Sequence, residues 1–135
     1  HVLYLADNAG EIAFDTLLVQ ELKKLGLHVI VAVKGNPILN DATMEDAKYV
    51  GMHDVADEII TTGTDTVGLI PNECSDEFLK VYNSADFVVA KGMGYAETLT
   101  ELQLKAPHAL LLRTKCSTVA NFFNVSLGKN IAKLL

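Results

Sequence analysis

Tryptophan is absent from this 135-residue chain, cysteine and proline occur only twice and three times, and positive charge is in the minority. Each scarcity excludes something. Cys74 and Cys116 have no C-x-x-C or comparable spacing, so they form neither a disulfide scaffold nor a zinc finger. Two unpaired thiols suit a reducing compartment, the expected location is cytoplasmic, and both side chains read as small buried hydrophobes. With 11 Lys+Arg against 17 Asp+Glu the net charge is −6, and no basic run interrupts the acidic balance. Nucleic acid is therefore not an expected partner. No apolar stretch approaches the ~20 residues that cross a bilayer, and no export signal is legible, so a membrane is not an expected partner either. The four histidines lack zinc spacing, and His28 and His108, which open apolar runs, read as structural. Neither a G-x-S-x-G elbow nor a phosphate-binding G-x-x-x-x-G-K-[ST] loop is present, which removes the main support for serine hydrolase and P-loop nucleotidase chemistry.

What is present is hydrophobic: half of the residues are apolar, enough for one domain with a real core. Five near-continuous apolar runs, Val2–Ala6, His28–Val33, Glu58–Thr61, Asp86–Ala90 and His108–Arg113, read as strands buried on both faces of a parallel sheet. Helical patterns separate them at Glu11–Leu25, Thr43–Val50, Ser75–Ala85, Tyr95–Leu104 and Cys116–Phe123. In the first, Phe14, Leu17, Leu18, Leu22 and Leu25 are expected to face the core, with Asp15, Gln20, Glu21, Lys23 and Lys24 outside. Ser75 reads as the N-cap of the third helix. The tail Asn124–Leu135 is weakly patterned, either a last strand or an extension. Alternation of this kind predicts a Rossmann-like three-layer α/β/α sandwich with a mostly parallel sheet of about five strands, in the order 3-2-1-4-5. The chain begins without Met and directly in strand-forming residues, so the domain is expected to be a fragment with something upstream.

In such a sheet ligands bind beyond the carboxyl ends of the strands, at the switch between strands 1 and 4. Asp7-Asn8-Ala9-Gly10-Glu11 follows strand 1, and Lys34-Gly35-Asn36-Pro37 through Asn40-Asp41-Ala42-Thr43 follows strand 2. Asp7, Asn8 and Asp41 offer three oxygen donors from neighbouring loops, which suits a hard divalent cation. The same Asx residues also suit helix caps. Thr61–Gly68 after strand 3 is either a polar pocket wall or a solvated turn. Strand 4 ends in Lys91-Gly92-Met93-Gly94-Tyr95-Ala96-Glu97, where two glycines allow close backbone approach and a helix start offers N–H donors to an anion. Strand 5 ends in Arg113-Thr114-Lys115-Cys116, and Lys115 is placed either to neutralise a phosphoryl group or as a solvated loop lysine.

These runs resemble the damage-control metal-dependent phosphatases, long catalogued as domain of unknown function number eighty-nine, and especially their archaeal-type branch. The likeness extends over nearly the whole chain and is carried by the motifs after strands 1, 2 and 4, with Gly63–Gly68 and Arg113–Cys116 in support. It implies hydrolysis of small phosphomonoesters, such as sugar phosphates or damaged phosphometabolites, with Mg²⁺ or Mn²⁺, and with Co²⁺ or Ni²⁺ admissible. By motif match Asp7, Asn8 and Asp41 hold the metal and share the catalytic role with Lys115. Glu11, Lys91, Gly92, Met93, Gly94, Tyr95, Glu97 and Lys115 contact substrate. The nucleophile is water activated by the metal or Asp7 itself. Family members carry an additional helical domain, mostly upstream, so contact with such a domain or self-association is the expected protein partnership. Two rival readings stay open: an S-adenosylmethionine-dependent carboxyl methyltransferase on the same fold, and a non-catalytic metabolite-binding module.

Overall fold

The computed structural model describes residues 1–135. Six strands form one sheet: β1 (Val2–Leu5), β2 (Val29–Val33), β3 (Glu58–Thr61), β4 (Phe87–Lys91), β5 (His108–Arg113) and β6 (Asn130–Leu134). Their order is β3-β2-β1-β4-β5-β6, the expected succession extended by one strand. The first five strands are parallel, and β6 runs antiparallel to β5. Five helices join them: α1 (Ile12–Lys24), α2 (Met44–Tyr49), α3 (Asp76–Ser84), α4 (Met93–Leu99) and α5 (Ser117–Phe122).

The pleat divides the core. Leu3 and Leu5 of β1 point to one side, where Phe78 of α3, Tyr95, Ala96 and Leu99 of α4 and Val119 of α5 bury them. Val2, Tyr4 and Ala6 point to the other, against Ile12 and Val19 of α1 and Ala47 of α2. Strands covered on both faces need apolar side chains at every position, which is why their sequences run rather than alternate. Three helices lie on one face and two on the other, so the second face has less cover towards β5 and β6, and a cavity opens there.

Two elements depart from the sequence expectation, and a third takes one of the two forms left open for it. Helix α1 is rotated in part: Ile12, Asp15 and Val19 are its buried residues and Leu18 and Leu22 of the expected stripe pack against the core, whereas Phe14 and Leu17 are 72% and 59% exposed and Leu25 is exposed as well. The apolar count favoured the Phe14 stripe, but Asp15 finds partners inside the fold, so a carboxylate takes the inner position. Helix α4 begins at Met93, two residues earlier than expected, and stops at Leu99 rather than Leu104. Gly92, at φ 87°, lets the chain leave β4 and enter the helix at once. At the far end the Thr100 hydroxyl donates to the carbonyls of Ala96 and Glu97, an alternative to helix continuation. The tail resolves as strand β6. Asn124 and Gly128, both at positive φ, turn the chain. Buried Thr114 then ties it down: its hydroxyl donates to the carbonyls of Ser126 and Lys129 and accepts from the Lys129 amide. Ser75 caps α3 as expected, accepting from the Phe78 amide at 3.2 Å. The two cysteines are half-buried rather than fully buried.

Candidate active site

The turns after β1 and β2 meet. Asn8 and Asp41 form an isolated antiparallel bridge, the Ala42 amide donates to the Asp7 carbonyl at 2.7 Å, and the Ala9 amide donates to the Asn40 carbonyl at 2.9 Å. Backbone pairing between two loops at adjacent strand ends holds Asp7, Asn8 and Asp41 together. None of them caps a helix. The Asn8 carbonyl, not its side chain, receives the first amides before α1, and the Thr43 amide and hydroxyl at the start of α2 pair with Asp46. The capping alternative is thereby removed, and these polar side chains are left for other work.

Asp7 stands at the centre. Its Oδ2 accepts from the Asn8 side-chain Nδ2 at 2.6 Å, and the Asn8 Oδ1 in turn accepts from the Asn40 side-chain Nδ2. The carboxylate lies against Gly92 so closely that a Cβ at that position falls well inside contact distance of Asp7 Oδ1, Oδ2 and Cγ. Burial, then the charges of Asp41 and Glu11, push the Asp7 carboxyl up to about 6, against the lowering pull of Lys115 and Lys91. Asp41 is likewise raised by burial and opposed by Lys34, whose ammonium sits 3.8 Å away.

This donor set fits a hard divalent cation of the Mg²⁺ type. No group of three or more His, Cys, Asp and Glu stands in ligating geometry. Two carboxylates and an amide oxygen, however, match an ion that keeps several waters and takes few protein ligands. The raised Asp7 carboxyl reflects burial first and then the neighbouring charges of Asp41 and Glu11, a setting in which a bound cation would offset the cost of keeping it ionised.

A cavity of about 620 Å³ opens beside Asp7, with Glu11, Lys91, Gly92, Met93, Arg113, Lys115 and Asn130 among its lining residues. Lys91 is almost wholly buried and donates to Asp15 at 2.6 Å and to Glu11. Lys115 is exposed, and its backbone amide donates to the Met93 sulfur at 3.3 Å. Three cations and two carboxylates therefore share one opening, carbocyclic or aromatic lining is absent, and an anionic ligand has its charge matched on the lysine–arginine side.

Several residues expected at this site are elsewhere. Gly94 faces the Val67–Gly68 turn, where a Cβ would crowd Val67 and the Gly68 amide, so its role is packing. The Tyr95 ring is buried in the core, its hydroxyl has no protein partner, and burial followed by the charges of Asp41 and Asp7 raises it far above the ordinary phenol range. Glu97 is exposed on the opposite flank of α4, with Thr100, Thr118 and Phe122. The Gly92 amide is spent on the Leu111 carbonyl at 2.9 Å and is not an anion donor. Thr61–Gly68 is neither pocket wall nor loose turn. Lys34, 1% exposed, donates to the Thr66 and Gly68 carbonyls and stands over the Tyr95 ring, pinning that loop beside Asp41.

Sequence reasoning missed Lys34, Asp15, Tyr4, Arg113 and Asn130 as parts of this constellation. A signal for the lysines was present: β2 and β4 both close with an apolar run followed by Lys-Gly, at Ala32-Val33-Lys34-Gly35 and Val89-Ala90-Lys91-Gly92. A lysine ending an otherwise buried strand has to find a carboxylate or carbonyl at the sheet's active end.

Residues 1–131 match the model of the damage-control phosphatase ARMT1-like domain. The chain is 49% identical over 132 residues to an uncharacterized protein of Methanocaldococcus jannaschii, covering 96% of this chain and 43% of the relative. It is 45% identical over 134 residues to a damage-control phosphatase of Archaeoglobus fulgidus, covering 99% of this chain and 46% of that protein. A crystal structure of a protein of the DUF89 family from Pyrococcus horikoshii superposes with a TM-score of 0.91 at 38% identity, covering 98% of this chain and 46% of that one. The chain thus spans less than half the length of these relatives. Motifs, sheet order and family match agree, and the chain belongs to the damage-control phosphatase ARMT1-like domain family.

Proposed function

We propose that this domain carries the catalytic end of a divalent-metal-dependent phosphatase acting on small phosphomonoesters. The observation that supports this reading most directly is a cavity at which Asp7, whose loop is bridged to that of Asp41 through Asn8, meets Lys91, Lys115 and Arg113. Relatives named damage-control phosphatase support it independently.

Asp7, Asp41 and the Asn8 amide would hold Mg²⁺ or Mn²⁺, with Co²⁺ or Ni²⁺ also accommodated by oxygen donors. The ion supplies neutralisation of phosphoryl charge there. The chain's own residues do the rest. Lys115, exposed at the cavity rim, meets an incoming phosphoryl oxygen, and Lys91 meets another from inside the cavity. Charge on the equatorial oxygens is greatest in the transition state, so fixed ammonium groups stabilise it more than the ground state. Gly92 excludes any side chain from the space beside Asp7 and leaves that carboxylate open to the reacting group.

Phosphate release from p-nitrophenyl phosphate and a panel of sugar phosphates tests the reading. Turnover is expected with Mg²⁺ or Mn²⁺, and it is expected to vanish with chelator and in Asp7→Ala or Asp41→Ala. Chelator-resistant phosphate release, or either variant retaining wild-type turnover at saturating metal, overturns the assignment.

A further inference from the structure

Lys91 reaches the cavity from a strand end that is otherwise apolar, and what holds it there lies on the concealed side of α1. Asp15 is 3% exposed. Its Oδ1 accepts from Lys91 Nζ at 2.6 Å and from the hydroxyl of Tyr4, itself fully buried in β1, at 2.7 Å. Its Oδ2 is buried without a protein partner. Glu11, the second partner of Lys91, is different: its side chain is 40% exposed and stands at the cavity rim. One carboxylate is therefore fixed by packing and a phenol, and the other is part-exposed with Lys91 as its side-chain partner.

We propose that Asp15, locked by the Tyr4 hydroxyl, is a positioning residue that fixes the Lys91 ammonium in the cavity, where Lys91 exchanges Glu11 for an anionic oxygen of the phosphoryl ligand. The proposal rests on the phosphatase reading for its ligand. Three features carry it. Lys91 has two carboxylate partners, so it can release the exposed one and stay paired with the buried one. The unpartnered Asp15 Oδ2 offers a second acceptor as the ammonium shifts. A buried lysine with no fixed counter-charge would be costly, and one with two fixed counter-charges would not bind an anion. A buried carboxylate at this inner position of α1 also gives Ile12 and Val19, its neighbours on the stripe, the company of a polar group that core packing alone does not require.

The test compares Asp15→Asn, Tyr4→Phe, Lys91→Gln and the Asp15→Asn/Lys91→Gln double variant, by p-nitrophenyl phosphate kinetics and by calorimetric titration with inorganic phosphate, with thermal melts as the folding control. Asp15→Asn is expected to raise the phosphate Kd about tenfold, as for loss of one charged hydrogen bond, and to lower kcat/KM by at least as much, because Lys91 is read as holding the transition state more tightly than the ground state. Lys91→Gln should do the same, and the double variant should be no worse than Lys91→Gln alone. Tyr4→Phe removes a single oxygen and should weaken phosphate in the same direction by a smaller factor, which carries the test if Asp15→Asn does not fold. Unchanged phosphate affinity in a folded Asp15→Asn, or multiplying effects in the double variant, overturns the proposal. Absence of phosphate binding by the wild type overturns it as well. If the wild type binds phosphate through this set yet releases none from esters, the phosphatase reading fails and the positioning role stands.

Discussion

Asp7 shows what a single residue contributes and costs. Its carboxyl is raised to about 6 by burial and by Asp41 and Glu11, so the folded state disfavours the ionised form. A carboxyl raised on folding destabilises the protein above its folded value, and that destabilisation disappears as the pH falls towards the ordinary carboxylate range. Asp7→Asn is therefore expected to raise Tm at about pH 7.5 in metal-free buffer, with the gain shrinking below about pH 6 and gone near pH 4. Melting curves across that range check it, and a constant or inverted difference would show that Asp7 is not under electrostatic strain. Stability lost at a functional carboxylate is the usual pattern where charge is gathered for a ligand. Lys34 carries the opposite burden: burial lowers its ammonium, while Asp41 favours the charged form.

At the scale of elements, α1 is the informative one. Its sequence offers two overlapping stripes, and the fold buries Ile12, Asp15 and Val19 rather than Phe14, Leu17 and Leu25. Counting hydrophobes places Leu18 and Leu22 correctly but Phe14, Leu17 and Leu25 wrongly, because the interior at this point contains Tyr4 and Lys91, which need an acceptor. The two stripes predict different mutational costs. Ile12→Ala should destabilise by ~2–4 kcal/mol, whereas Phe14→Ala and Leu17→Ala should each stay below ~1 kcal/mol. Urea unfolding of the three variants decides between them, and a large loss at Phe14 would restore the other face. The same limit of pattern reading affected the Asn124–Leu135 tail. Its strand character depends on pairing with β5 and on Thr114 gathering the turn, neither of which is encoded within the tail.

For the whole molecule, the sheet order brings chemistry together from distant parts of the chain. With β1 central, the ends of β2 and β4 flank it, and Asp41 and Lys91 come beside Asp7 although fifty residues separate them from each other. A ligand seated across those strand ends binds only the folded chain, so it must stabilise it. Mn²⁺ or Mg²⁺ at about a hundredfold excess over its Kd should add ~2.7 kcal/mol and raise Tm by several degrees, with the gain abolished in Asp41→Ala. Thermal melts with and without chelator measure this, and a metal-independent Tm would remove the cation from Asp7 and Asp41. The prediction is separate from turnover and tests the ion-binding half of the proposed function alone.

Read by itself, the sequence determined the sandwich class, the central position of β1 and the loops at which chemistry gathers, because continuous apolar runs and turn residues are local properties of the chain. The motifs after β1 and β2 were legible for the same reason. Which face of α1 lies inward, that Gly94, Tyr95 and Glu97 leave the cavity while Asp15 and Tyr4 support it, and that the tail pairs with β5 were decided only in three dimensions. Burial of a charged or hydroxyl group depends on the partner it meets across the fold, and that partner is fixed by strand order and helix rotation rather than by neighbours in sequence.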